Sequence, residues 1–125
     1  MGTRVRSYST QVAQGEGWVR SLTYRADNAA GTAISLVGAT VEVYVADQEG
    51  NVVLSYEATE GGVVIDAIDF TDAADGELTV AIPGEDTAGL DAHEHRIEMW
   101  ISLSGAEPIQ VMPPSAFKVR PTVRS

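Results

Sequence analysis

The chain has 125 residues, no cysteine and a formal net charge of −10. That length points to one domain, and the missing cysteines exclude a disulfide scaffold, a thiolate metal centre and a thiol nucleophile. Eighteen acids against eight bases argue against binding to nucleic acid or anionic membrane, because phosphates repel such a surface.

The start, Met1-Gly2-Thr3-Arg4-Val5-Arg6, carries charge but no apolar stretch after it. It is read as neither a signal peptide nor, with Arg6 in place of Ser or Thr, a myristoylation signal. A soluble protein made in the cytoplasm is expected, without a membrane partner or a small-molecule substrate. The charge is segregated along the chain. Residues 1–25 hold four arginines against Glu16, residues 26–95 hold 15 acids with no lysine or arginine, and residues 96–125 hold four bases against two acids. A solvated acidic surface explains this. So does self-assembly, in which basic ends of one copy meet the acidic middle of another, since opposite patches steer association and fix register.

Taken in chain order, the elements have a period of two. Val5–Ala13 is a weak strand, read with its basic residues as an N-terminal arm over 1–14 ahead of a domain over 15–125. Trp18–Arg25 is a strand with Trp18, Leu22 and Tyr24 on one face. Val41, Val43 and Val45 alternate with Glu42, Tyr44 and Ala46, the mark of a half-buried antiparallel strand. Asp47-Gln48-Glu49-Gly50-Asn51 is a hairpin loop leading to Val52–Ala58. Gly62–Asp66 is a short strand after the break at Glu60-Gly61. Asp72-Ala73-Ala74-Asp75-Gly76 is a turn, with Gly76 free to take positive φ. Leu78, Val80 and Ile82 alternate again. Residues 85–90 form one short helical turn, favoured by acids at its start. Ile97, Met99, Ile101 and Leu103 make another alternation, followed by Ile109–Met112 and Ala116–Arg120. Pro113-Pro114 marks an edge interruption or a bulge between them. Seven to eight strands, with turns about every 8–12 residues, predict an all-β, immunoglobulin-like antiparallel sandwich. A small closed barrel is the alternative. The expected core is Leu22, Tyr24, Val41, Val43, Val45, Leu78, Val80, Ile82, Ile97, Met99, Ile101 and Val119.

Chemistry is sparse. There is no nucleophile elbow and no Walker loop, and Gly15-Glu16-Gly17 lacks the rest of a dinucleotide fingerprint. His93 and His95 point the same way on a strand and could share a zinc or nickel ion, but no third ligand is identifiable. His95 otherwise reads as entering the core edge, with His93 in the preceding turn. Asp66, Asp69, Asp72, Asp75 and Glu77 offer hard oxygens for calcium without the ligand spacing of an EF-hand, and a solvated loop accounts for them equally. Eight aromatics do not by themselves argue a sugar cleft for a glycosidase. No enzyme, no cofactor and no metal are therefore expected. Trp100 falls on the strand face opposite Ile97, Met99, Ile101 and Leu103. It is either an interface anchor or covered by a loop or the N-terminal segment.

Several packing and turn motifs occur together. Ile34-Ser35-Leu36-Val37-Gly38-Ala39-Thr40-Val41 leads into a strand. Gly50-Asn51-Val52-Val53, Gly61-Gly62-Val63-Val64-Ile65-Asp66, Asp75-Gly76-Glu77-Leu78-Thr79-Val80, Pro83 with Asp86-Thr87-Ala88-Gly89-Leu90, and Phe117-Lys118-Val119-Arg120-Pro121-Thr122-Val123 follow. In this order Gly17 to Val123 resembles small tailed-phage and prophage structural proteins, and the N-terminal domain of phage upper baseplate proteins. Two features depart from that group. His93-Glu94-His95-Arg96 stands where a Tyr-x-Tyr-Asp pattern is usual, and Ser115-Ala116 replaces a glycine. The resemblance implies a non-enzymatic, oligomeric virion component of the tail, baseplate or fibre adaptor, located in the virion. A capsid decoration or head–tail junction protein is the variant of that role. Its partners would be copies of itself and other virion proteins, reached through Arg4, Arg6, Tyr8 and Trp100. An expectation of another class is a monomeric carbohydrate- or calcium-dependent binding module.

Overall fold

The computed structural model describes residues 10–26 and 30–121. Among these residues eight strands make two sheets: β1 (Thr10–Ala13), β2 (Trp18–Thr23), β3 (Thr40–Ala46), β4 (Val52–Thr59), β5 (Ile68–Asp72), β6 (Glu77–Ile82), β7 (Glu94–Ser102) and β8 (Ile109–Arg120). The larger sheet has the order β1-β8-β7-β3-β4 and the smaller one β2-β6-β5. One short helix, α1 (Gly84–Ala88), follows β6. The fold is the expected all-β, immunoglobulin-like sandwich. One pairing departs from antiparallel, since β1 runs parallel to β8.

The alternation that marked the strands also fills the core. In β3 the burial pattern switches at every residue, with Val41, Val43 and Val45 fully enclosed. Opposite them on β7 stand Ile101, Met99 and Ile97, also enclosed. Leu78, Val80 and Ile82 of β6 supply the facing layer, with Leu22 and Tyr24 beside them. All twelve residues expected inside are buried. Trp18 packs edge-on against Phe117, with ring centroids 5.8 Å apart. Arg20 lies over the Trp18 ring on the same face of β2, an edge strand of the smaller sheet. An inward charge on an edge discourages pairing with another chain.

Three boundaries differ from the sequence expectation. The arm expected over 1–14 ends inside the sandwich, because β1 pairs with β8 and Val12 is buried; residues 1–9 lie outside the described residues. The strand expected at Gly62–Asp66 is a loop held by a single bridge, Ile65 to Ile68. Val63 and Val64 point into solvent there, and the strand forms after it, at β5. Acids hid β5: Asp69 and Asp72 face outward from an edge strand, where solvation makes them cheap. Finally, β8 runs unbroken through Pro113-Pro114. The register with β7 shifts there, Ile97 facing Ser115 and Met99 facing Met112. Two residues of β8 oppose the single Glu98, so of the interruption and the bulge that the prolines offered, the strand takes the bulge.

Candidate functional site: the outer face of the larger sheet

Residues that alternate with the core positions of β3 and β7 share the outer face. Register brings them into facing pairs: Ala46 with Arg96, Tyr44 with Glu98, Glu42 with Trp100, and Thr40 with Ser102. On the flanks, Glu57 and Ser55 of β4 pair with Glu42 and Tyr44, and Gln110 of β8 pairs with Trp100. Two aromatic side chains, Tyr44 and Trp100, therefore stand diagonally across adjacent strands, at positions about 7–8 Å apart and within reach of each other's rings. Both are half-buried, as rings lying on a sheet surface are. The parity expected for Trp100 holds, and its place is outside the core.

Polar groups order the face. The Tyr44 hydroxyl donates to the Glu42 carboxylate along the strand. Gln110 Nε2 donates to Glu98 Oε2 at 2.6 Å. The hydrogen bond to Glu42, together with partial burial and the charges of Glu42, Glu57 and Glu98, pushes the Tyr44 phenol up to about 12. Three carboxylates thus surround one neutral hydroxyl. The Trp100 indole N–H has no hydrogen-bond partner among the described residues and is not an enclosed orphan. It remains available to a ligand. A groove of about 390 Å³ continues the face beyond Tyr44, between the β3–β4 hairpin and the bulge, and is lined by Tyr44, Gln48, Glu49, Arg96, Glu98 and Pro114. From the Ala46–Arg96 pair to the Glu42–Trp100 pair the strands advance about 13 Å.

Of the interface residues expected from sequence, only Trp100 belongs to this site; Arg4, Arg6 and Tyr8 lie outside the described residues. Tyr44, Glu42, Glu98 and Gln110 were not singled out. The signal for Tyr44 and Glu42 was their alternation with three buried valines, but which β7 residue faces each is set by register.

The other candidates fall as follows. His95 is buried at the start of β7 and His93 precedes the strand, as the packing reading expected. Their rings stack 4.6 Å apart and within 6° of parallel. Of the acid series, Asp72, Asp75 and Glu77 bring ligand oxygens within 4.8 Å of one another, all exposed. Asp66 and Asp69 stand apart from that group. Asp72 already has a structural duty, accepting from the Asp75 N–H at the start of a 3-10 turn over Ala73–Asp75.

No family model matches the chain, and no curated protein matches it. Among solved structures it is similar to CopC from Methylosinus trichosporium OB3b, with 16% identity, 95% of this chain and 90% of that chain covered, and a TM-score of 0.48. This corrects the role inferred from the phage resemblance. The tailed-phage virion role expected from that resemblance is not upheld.

Proposed function

We propose that this domain is a non-enzymatic binding module that holds an oligosaccharide on the outer face of its larger sheet. The observation that carries the reading is the pair Trp100 and Tyr44, set on a rigid sheet amid Glu42, Glu57, Glu98 and Gln110. Aromatic faces pack against the apolar C–H face of a pyranose ring. Carboxylates and an amide accept and donate to its equatorial hydroxyls, and charged acceptors make the stronger bonds. The stretch of about 13 Å along the strands takes two or three sugar units, and the groove beside Tyr44 lies within the size range of ligand sites, about 300–1,000 Å³. The preformed strands hold these groups without a conformational change on binding, which limits the entropy lost.

A panel of soluble neutral polysaccharides, screened by affinity electrophoresis and followed by calorimetry on oligosaccharides of the one that binds, tests the reading. Trp100→Ala should weaken binding by about 2 kcal/mol, roughly thirtyfold, as truncation of a central aromatic anchor does. Its melting temperature should stay close to that of the parent, because Trp100 is outside the core. No retardation by any polysaccharide, or equal binding by Trp100→Ala, would overturn the reading.

A further inference from the structure

Between the β3–β4 hairpin, α1 and the first residues of β7 lies a second cleft, of about 350 Å³. Asp47, Glu85, Asp86 and Asp91 line it, with no lysine or arginine among the described residues of the lining. Val53, Leu54 and Leu90 supply apolar surface, and His95 closes it. Acids alone would say little, since such groups are common on a chain of this charge. Three of them also have local partners, Asp91 Oδ2 lying 3.6 Å from His93 Nε2. Asp47 accepts from the backbone N–H groups of Glu49 and Asn51 in the hairpin turn, and Asp86 accepts from the Tyr56 hydroxyl at 2.5 Å.

His95 is the independent feature. Its side chain is 2% exposed, and Nδ1 lies 3.0 Å from the His93 carbonyl oxygen. A carbonyl only accepts, so Nδ1 carries the proton, and in the neutral ring Nε2 is left as a lone-pair acceptor. Nε2 has no hydrogen-bond or ion-pair partner among the described residues. It is also absent from the fully enclosed, unpartnered atoms, so it is accessible, and His95 lines both this cleft and a neighbouring pocket with Glu94 and Arg96. A donor seated in the cleft would replace the water that otherwise meets this lone pair.

Charge and shape decide which donor fits. Four carboxylates call for a cation. A metal ion would need three donors already converging, and among the described residues the group that does so is Asp72, Asp75 and Glu77, not this one. An apolar surface next to a polar end instead suits an alkyl stem carrying a charged head. A compact ammonium has three donors to spread over one nitrogen and separate carboxylates, whereas a guanidinium favours a two-pronged carboxylate. We propose that this cleft is a lysine-binding site, seating a lysine side chain of a polypeptide partner with its ammonium donating to His95 Nε2 and facing Glu85 and Asp91, and its methylenes on Val53, Leu54 and Leu90.

The test is a titration of the intact chain, followed by imidazole and methyl NMR signals. The probes are a short uncharged peptide with one central lysine, the same peptide with the lysine Nε-acetylated, and the free diamine cadaverine. The lysine peptide should shift the His95 ring and the Leu54 and Leu90 methyls, and the acetylated peptide should not. Glu85→Gln combined with Asp91→Asn should weaken binding at least tenfold. Both residues are on the cleft rim, and the remaining methyl signals report that the fold is kept. Equal response to both peptides, no response at His95, or a response to cadaverine alone would overturn the proposal.

Discussion

Tyr44 and Glu42 stand two residues apart on β3, so their side chains share a face, and the phenol donates to the carboxylate. Ionising that phenol would break the bond and set a negative charge against Glu42, Glu57 and Glu98. The neutral form is therefore held up to about 12, against 10.0 for a free tyrosine. In the unfolded chain the same group ionises near its ordinary value. The stabilisation is therefore complete below about pH 10 and is lost as pH rises toward about 12, because the unfolded state releases its proton first. Tyr56 shifts in the same direction, through burial first and then its bond to Asp86. The phenolate absorbance of the folded protein should show a tyrosine titrating near 12, and Tyr44→Phe should remove that step while leaving the later one. A step near 10 that disappears in Tyr44→Phe would mean that the hydroxyl does not face the three carboxylates.

At the scale of elements, the strands with one wet face were legible and the edges were not. β3, β6 and β7 announce themselves because apolar and polar residues alternate on a sheet with a single core. The acids of β5 read as loop, and Val63-Val64-Ile65 reads as a strand although Val63 and Val64 find no core to enter. β1 was legible only as weak propensity, since its value comes from pairing with β8, more than a hundred residues away in sequence. The binding face was half legible for the same reason: parity put Trp100 outside, but only register sets Glu42 and Gln110 beside it. Turn glycines were plainer. Gly76 adopts φ of +73°, and a Cβ there would stand 2.5 Å from the Ile34 carbonyl oxygen and 2.8 Å from that of Tyr24. Gly50 has φ of +87° with open space around it. Both alanine variants pay for the left-handed backbone, and only Gly76→Ala adds a clash. Chemical denaturation should show Gly50→Ala losing about 1 kcal/mol and Gly76→Ala about 2–4 kcal/mol. Equal losses would show that the Gly76 turn can open away from Ile34 and Tyr24 at no cost.

For the whole molecule, one core joins both sheets, and stability should depend on it and not on an ion. Val43 lies at its centre, enclosed between Tyr56 of β4 and Met99 of β7. A carboxylate there has no partner, so Val43→Asp should cost about 4 kcal/mol or more, while Val63→Asp on the exposed loop should stay within about 0.5 kcal/mol. Thermal melts of the two variants separate these outcomes, and an unmoved midpoint for Val43→Asp would refute the face assignment. The exposed trio Asp72, Asp75 and Glu77 brings three carboxylate oxygens together, where a calcium ion takes about 6–8 oxygen ligands. Yet the chain around it is already held without one. Asp72 accepts from Asp75, Gly76 closes the turn through its N–H to Ala73, and the Tyr24 N–H donates to the Gly76 carbonyl. Repulsion among three solvated carboxylates is screened at ordinary ionic strength. Dialysis against a chelator should therefore leave the melting temperature unchanged, and Asp75→Asn should leave it unchanged or raise it slightly by easing that repulsion. A fall of several degrees on chelation, restored by stoichiometric calcium and absent in Asp75→Asn, would instead make the turn at Gly76 a metal-dependent element of the fold.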